Sequence, residues 1–443
     1  MHGKDTMPKS DIAVGLDIGT TKVCVVVAEQ DARGKLNLLG RGLAASDGLQ
    51  RATVVNINKT VEAIRAAVAD AERESSIRIG SVNVGISGTH VHCIPSTSEI
   101  SINQSGVVTE SDVRRFLEKA RSNIRYLDID NEIIHVIPQS FTVDDQEGLP
   151  DPIGMAGTTM KGSACIVVGQ KTKIRNIRQC VEKAGLVVGS ITFEPLASGR
   201  AVMRESERRS GVAVIDIGGG TTEVAVYLDG AIHHSDVIRV AASDVTGDIA
   251  YGVKTLHGIA EEMKLAHGCA CASECGEEEE LVVEGIEGRP RKYFPKSSLT
   301  LIIEARMTEI FEMVRDSLKQ SGLYDSLNAG AIITGGGSLL KGTETLASRI
   351  LGLDVRTGCP EGVSGGIRGA VDSPIYATVT GLVGYAFEHA MRVEPASASD
   401  TEAKPAGGPA SPQAQKPESE PEPEVEGAWQ KIQNRFKKFW EAL

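Results

Sequence analysis

The sequence predicts an α/β fold of two related lobes facing each other across a cleft, with a small α+β module inserted in the first lobe. Three observations carry this. Val212 to Tyr227 reads VAVIDIGGGTTEVAVY, two apolar runs joined by a tight glycine turn, which is the pattern of an antiparallel hairpin. Val14 to Val27, VGLDIGTTKVCVVV, repeats that design about two hundred residues earlier, as an internal duplication would. The first hairpin is then followed by strand, helix and strand, the pattern of one open α/β half.

The hairpins also carry chemistry. Without side chains at the turn, backbone N–H groups can approach an anion closely. In the second hairpin the turn is Gly218-Gly219-Gly220, followed by the hydroxyls of Thr221 and Thr222. In the first, Gly19, Thr20 and Thr21 correspond, and Lys22 adds a point charge suited to a phosphate. Asp17 and Asp216 end their apolar runs. A carboxylate there repels phosphate but holds a hydrated divalent cation, such as Mg²⁺. Two such hairpins facing each other would grip a nucleotide from both sides.

The remaining elements follow in chain order. Leu36 to Gly42 continues the first sheet, Asn58 to Glu74 is an amphipathic helix with Val61, Ile64, Ala67 and Val68 on one face, and Ser81 to Ile86 is strand. From Gly88 the glycine motifs stop. Val91 to Ile102 reads as a strand pair, and Glu110 to Arg121 as a helix capped by Ser111 or Thr109. Glu132 to Val143 is a strand interrupted by Pro138, and Asp144 to Met160 a turn-rich loop. The first lobe's pattern is expected to resume at Cys165 to Val168, with a helix from Lys173 to Ala184 and a strand from Val187.

Leu196 to Glu207 is a helix rich in small residues, suited to close packing. Glu194, just before it, either faces the cleft and orients a water or serves as a stabilising charge at a helix N-terminus. Past the second hairpin, Glu261 and Lys264 lie one helical turn apart and can face the same side. Leu299 to Ser321 is a long amphipathic helix. Ala331 to Leu340, AIITGGGSLL, is a strand turning through Gly335-Gly336-Gly337 and Ser338 into a helix, bare backbone against which a flat base or sugar can lie. No G-x-x-x-x-G-K-[ST] loop occurs. A last helix, Tyr376 to Arg392, carries Gly381 and Gly384 for another close crossing.

Composition narrows the function. At 443 residues the chain suits two or more domains. Its net charge of -12 argues against general nucleic-acid binding, which needs a basic surface. No apolar run approaches a membrane span, and the first residues lack the apolar core of a signal peptide. Cys24, Cys165 and Cys180 sit in apolar runs and read as small buried hydrophobes in a reducing cytoplasm. Cys269, Cys271 and Cys275 cluster without C-x-x-C spacing and leave a metal site open.

The tail is separate in kind. Residues 394–426 are rich in Pro, Ala, Ser and Glu and read as a disordered linker. In GAWQKIQNRFKKFWEAL, residues 427–443, helical spacing puts Trp429, Ile432, Phe436, Phe439, Trp440 and Leu443 on one face, flanked by Lys431, Arg435, Lys437 and Lys438. An apolar face bordered by cations is suited to an anionic membrane surface, and the segment is too short and charged to span. Docking on a protein groove is the competing reading.

The hairpin, small-residue helix, second hairpin, Gly-Gly-Gly turn and glycine-bearing last helix, in this order, resemble the actin, Hsp70 and sugar-kinase superfamily of ribonuclease H-like ATPases. Within it, VVNINKTVEAI, SVNVGISGTHV, HVIPQSFTVDDQEGLPDPIGMAG, DIGGGTTEVAVY and AEEMKLAHGCA resemble the FtsA family of bacterial cell-division actin homologues over roughly residues 10 to 391. The resemblance implies ATP between the lobes, with Asp17, Gly19 to Lys22, Asp216 and Gly218 to Thr222 at the phosphates and Mg²⁺. It puts Glu261, Lys264 and Gly335 to Ser338 at the adenosine. It implies subdomain 1A at 10–87 and 165–205, an inserted 1C subdomain at 88–164, 2A at 206–245 and 322–375, 2B at 246–321, and a helix at 376–393 returning to 1A. It further implies a peripheral protein on the cytoplasmic face of the inner membrane at the division site, self-association into a filament, contact with other division proteins, and docking of the FtsZ C-terminal tail on 2B, where Arg289, Arg291 and Arg306 supply positive charge. Such a protein binds ATP with at most weak hydrolysis. The alternatives are an actin-like pilus-assembly scaffold and a sugar or small-molecule kinase. The terminal helix argues against both, and no second motif supplies a kinase's Asp base.

Overall fold

The computed structural model describes residues 12–31, 34–124, 129–276, 279–283, 290–364 and 371–389. The end of the expected last helix at 390–393, the expected linker and terminal helix at 394–443, and Arg289, lie outside them. Two sheets build the lobes with the same strand order. In the first, Leu36–Ala45, Lys22–Gln30, Ile12–Ile18, Ser81–Ile86 and Val187–Phe193 lie side by side, and the short Val363–Ser364 joins at the Leu36 edge. In the second the order is Ala231–Ile238, Thr222–Leu228, Val212–Ile217, Ala331–Thr334 and Val355–Thr357. Each sheet is an antiparallel three-stranded meander extended by parallel strands beside its first strand. The duplication expected from two short motifs therefore extends to whole-lobe topology.

The hairpin strands are apolar on both faces because both faces are covered. Alternate side chains point to opposite sides. Val23, Val25 and Val27 meet Ile64 and Ala67 of the helix Ile57–Ser75, while Cys24, Val26 and Ala28 meet Val379 and Val383 of the helix Ala377–Glu388. The first of these helices starts where Asn56 accepts the Lys59 N–H at 3.1 Å. In the second lobe Ile215, Val224 and Val226 pack on the helices Ala242–Val253 and Lys296–Gln320. Lobe joins lobe through the small-residue helix Glu194–Val202. A Cβ at Gly381 of the last helix would lie 1.8 Å from Ala197 O, so only glycine permits that crossing. On its other side, Tyr227 donates to Pro195 O at 2.7 Å.

The inserted module has its own sheet, ordered Val91–Ser101, Thr159–Gln170, Asn131–Val143, Gln146–Leu149. The helix Glu110–Ser122 covers one face, with Phe116 edge-on to Phe141 at 5.2 Å. Thr109 is its cap: the Asp112 carboxylate accepts the Thr109 N–H at 2.9 Å.

Several expectations are corrected. Val91 to Ile102 is not a strand pair but a single strand, whose partner lies beyond residue 158. Cys165 to Val168 does not resume the first lobe's sheet; it belongs to Thr159–Gln170, which runs through the module as one strand. Pro138 does not end its strand. It pairs with Ala164 at a register shift that leaves Gln139 unpaired in the ladder, and Gln139 donates instead to Ile232 O of the second lobe at 2.9 Å. The segment expected as loop from Asp144 contains the strand Gln146–Leu149. The helix expected from Leu196 to Glu207 breaks after Val202, because the Arg356 guanidinium and the Glu361 N–H take the carbonyls of Val202 and Ala201, at 2.7 and 2.8 Å. After the Gly-Gly-Gly turn the chain makes a 3₁₀ turn, Gly336–Leu339, before the helix Thr343–Leu351.

Candidate functional site

The two glycine turns meet. Each is closed by a backbone bond, Gly19 N–H to Lys22 O at 2.9 Å and Gly218 N–H to Thr221 O at 3.0 Å. A Cβ at Gly219 would fall 2.6 Å from Thr21 Oγ1, and one at Gly220 2.5 Å from Thr20 Oγ1. Bare backbone on one lobe thus faces hydroxyls on the other at the floor of a shared cleft. Asp17, Lys22, Glu194, Asp216 and Glu223 all line it.

The charges in the cleft do not balance. Lys22 Nζ pairs with Asp17 Oδ2 at 2.9 Å. Burial opposes the ammonium charge, but Asp17 outweighs it and holds the Lys22 pKa above the usual lysine value. Asp216 accepts from Thr378 Oγ1 at 3.1 Å, and its pKa is pushed up to about 6, by burial first and by the charge of Asp17 against the opposing pull of Lys22. Glu223 is raised to about 8 by burial and then by Asp216. Glu194 stands well above an ordinary glutamate through burial, with Glu223, Asp17 and Asp216 adding to it. Four carboxyls thus share one ammonium in a poorly hydrated cleft. A hydrated Mg²⁺ on Asp17 and Asp216 fits this donor set, because it supplies the missing positive charge without requiring direct ligation. Glu194 faces the cleft and is also the first residue of its helix, but its raised pKa works against the reading of it as a helix-terminal charge. It can accept a proton from a water only when ionised, which added positive charge would favour.

A second compartment continues from the first, sharing Thr21, Gly218, Gly219 and Gly336. Glu261, Lys264, Gly268, Gly337 and Leu340 line it. Lys264 is buried, which excludes a surface ion pair; its ammonium donates to Glu261 at 2.7 Å, Thr246 Oγ1 at 2.8 Å and Ala242 O at 3.0 Å. The helix Ala242–Val253 is in turn tied to the glycine turn, with Ala242 and Ser243 N–H donating to Gly218 O and Gly219 O at 3.1 and 2.8 Å. Gly335 adopts φ 79°, and a Cβ there would strike Asp216 Oδ1 at 2.2 Å. Two expected residues turn inward instead. The Thr222 hydroxyl donates to Val240 O at 2.8 Å, and Ser338 Oγ closes the turn on Gly335 O at 2.7 Å.

Sequence reasoning missed Glu223, Thr378 and Thr246. For Glu223 a signal existed: it is the one charge in an otherwise apolar strand, and antiparallel register puts it opposite Asp216. Thr378 and Thr246 sit in helices whose periodicity gave no hint of their partners.

Away from the cleft, Arg306 is not a free cation. It is held bidentate by Asp248, with Nη2 to Oδ1 at 3.0 Å, and also pairs with Glu309. The same module exposes Tyr251 (88%), Tyr293 (67%) and Leu301 (63%). The metal site left open at Cys269, Cys271 and Cys275 is not formed: among the described residues no group of three or more His, Cys, Asp or Glu could hold a metal, and Cys269 is bonded to Cys275. Also among the described residues, no helix is long and apolar enough to cross a membrane.

Residues 213–381 match the family model for cell division protein FtsA, and residues 88–168 match the SHS2 domain inserted in FtsA. The chain is 37% identical to cell division protein FtsA of Pseudomonas aeruginosa, over 85% of this chain and 89% of that protein. It is 39% identical to FtsA of Neisseria meningitidis (83% and 88% covered) and 35% identical to that of Escherichia coli K12 (86% and 92%). Among solved structures, a chain of the PilM–PilN type IV pilus biogenesis complex superposes with a TM-score of 0.60 at 17% identity, covering 85% of this chain and 98% of that one. MreB5 of Spiroplasma citri bound to ADP gives 0.54 at 13% identity, covering 87% and 98%. At such identities these two show the fold alone, and the fold is actin-like. With curated relatives above 30% identity over most of its length, the chain belongs to the FtsA family of cell-division proteins.

Proposed function

We propose that the protein binds ATP with Mg²⁺ between its lobes and uses the nucleotide-bound form to tether the FtsZ ring to the membrane. The observation that carries this is the meeting of two glycine–threonine turns over a cleft with a surplus of carboxyls. The turns and Lys22 take the phosphates, and Asp17 and Asp216 hold Mg²⁺ through water. Glu261, Lys264 and Gly335 to Gly337 form the adenosine wall, with Lys264 acting through Glu261 and Thr246. Hydrolysis is weak, with Glu194 as the residue that would orient water. MreB5, of the same fold, is described with ADP and with AMPPNP bound.

In this reading the lobes divide into subdomains 1A at 10–87 and 171–205, 2A at 206–245 and 322–375, and 2B at 246–321, with the strand Thr159–Gln170 left to the insert. The helix Ala377–Glu388 returns to 1A. The insert near 88–170 is one end face of a head-to-tail filament, since contacts between unlike faces generate open polymers. The 2B module docks the FtsZ tail through its exposed Tyr251, Tyr293 and Leu301, with Arg291 and Lys292 immediately preceding Tyr293 in the chain. Other division proteins join the assembly. The helix at 427–443 lies in the cytoplasmic face of the inner membrane, tethered by the linker at 394–426.

Pelleting with vesicles containing anionic lipid tests the reading, using the full chain and one lacking residues 427–443, each with and without Mg-ATP. The full chain should pellet and recruit FtsZ, and the truncated chain should stay in solution while still binding FtsZ. Equal pelleting of both chains would reject residues 427–443 as the membrane anchor.

A further inference from the structure

We propose that Cys269 and Cys275 form a reversible dithiol–disulfide pair that fastens the adenosine-side wall of the cleft; this rests on the nucleotide reading given above. Their Cα atoms are 6.1 Å apart and their sulfurs are bonded, a separation within the range a disulfide spans. The bond closes a short loop at a sensitive position. Gly268, which lines the cleft, directly precedes Cys269 and ends the helix His257–His267 that carries Glu261 and Lys264.

From that point the loop is stitched to both neighbouring walls. Cys269 bridges to Lys341, and Ala270 N–H donates to Lys341 O at 2.7 Å, immediately after Leu340 of the opposite wall. A Cβ at Gly342 would lie 2.8 Å from Cys271 Cβ, so the two segments are in contact there as well. At its far end, Ala272 N–H donates to Glu304 at 3.0 Å and Cys275 Sγ lies 3.3 Å from Thr300 Oγ1, both on the long helix Lys296–Gln320. Cys269 is buried and Cys275 is half-buried, so exchange starts at Cys275 and Cys269 resolves it.

The exchange balances with a small-molecule disulfide, such as oxidised glutathione, as the oxidant. The Cys275 thiolate attacks one sulfur of that disulfide and expels a small thiolate, forming a mixed disulfide. Cys269 then attacks Cys275 Sγ and expels the second. Two protein thiols are oxidised, one small disulfide is reduced to two thiols, and the two protons pass to the departing thiolates. Oxidised, the loop holds Gly268 and Lys341 in register and less ordering remains to be done on binding. Reduced, the wall loses one of its fastenings and nucleotide binds less tightly. The third cysteine, Cys271, is buried under Gly342 and takes no part.

The test equilibrates the full chain in glutathione buffers from reducing to oxidising, blocks free thiols, and maps linked peptides by mass spectrometry. Mg-ATP affinity is measured on the same samples. A 269–275 link should appear in the wild type and in Cys271→Ser, and be absent in Cys275→Ser. Affinity should be several-fold tighter in the oxidised wild type, while Cys275→Ser should keep the reduced-state affinity in every buffer. No 269–275 link at the most oxidising poise, or a link that leaves affinity unchanged, would overturn the proposal. If Mg-ATP binds in neither state, the coupling to nucleotide falls with the nucleotide reading, and the peptide map alone decides whether the pair is a redox pair.

Discussion

Replacing Glu223 by Gln should stabilise the ligand-free protein, and increasingly so as pH rises. Glu223 is 7% exposed and faces Asp216 across the second hairpin. Its pKa is raised from 4.5 to about 8 by burial and by Asp216. A carboxyl whose pKa is higher in the folded state is protonated more readily there, so its ionisation opposes folding. The cost is absent below about pH 4.5, grows through neutrality and is complete above about pH 8. At about 1.4 kcal/mol per pH unit, the gap between the two values corresponds to about 5 kcal/mol for an isolated group. Asp216 and Glu194 share the same field, so the gain from removing one charge is about 2–5 kcal/mol. Glutamine keeps the side-chain oxygen that Thr221 Oγ1 approaches at 3.4 Å. Thermal unfolding of both proteins from pH 5 to pH 9 measures the effect. The variant should melt several degrees higher at pH 8.5 and nearly level with the wild type at pH 5. Mg-ATP should narrow the difference, because the cation compensates the carboxylates. A gain independent of pH, or no gain at pH 8.5, would refute the argument.

Three further outcomes follow from the same geometry and the proposed roles. Gly381→Val puts side-chain atoms where Ala197 O lies 1.8 Å from the first of them, and should destabilise by on the order of 3 kcal/mol or more; Gly258→Ala, with open space around it, should not lower the melting temperature measured by circular dichroism. Tyr251→Ala should weaken binding of an FtsZ C-terminal peptide by about tenfold without altering Mg-ATP affinity, as fluorescence anisotropy and calorimetry would report. Trp440→Glu should release the full chain from anionic vesicles, since a buried side chain of that size contributes roughly 1.5–3 kcal/mol, whereas neutralising Lys437 and Lys438 should weaken binding mainly at low salt.

Much of the fold was legible because it is written in local pattern. The hairpins, the turn at Gly335 and the helix Ile57–Ser75 are each specified by contiguous residues, and their repetition predicted the two lobes. What escaped depends on partners distant in sequence. Thr159–Gln170 looks like a lobe strand by composition, yet it pairs with Val91–Ser101 and Asn131–Val143 in the insert. The helix break at Met203 depends on Arg356 and Glu361, more than 150 residues away. Arg306 reads as a docking cation until Asp248 is placed beside it. At the site, the turns announced an anion pocket, whereas the crowding of Glu223, Glu194 and Asp216 required the lobes to be brought together.

Calorimetric titration of Mg-ATP into the wild type and Asp216→Ala tests the account most directly. Asp216 joins the second glycine turn, Thr378 of the last helix and the bare backbone at Gly335. The wild type should bind with a single site, lose most of its affinity when Mg²⁺ is chelated, and show no measurable binding once Asp216 is gone. Equal affinity in the variant and the wild type, or wild-type binding indifferent to Mg²⁺, would contradict a cation-bridged nucleotide in this cleft.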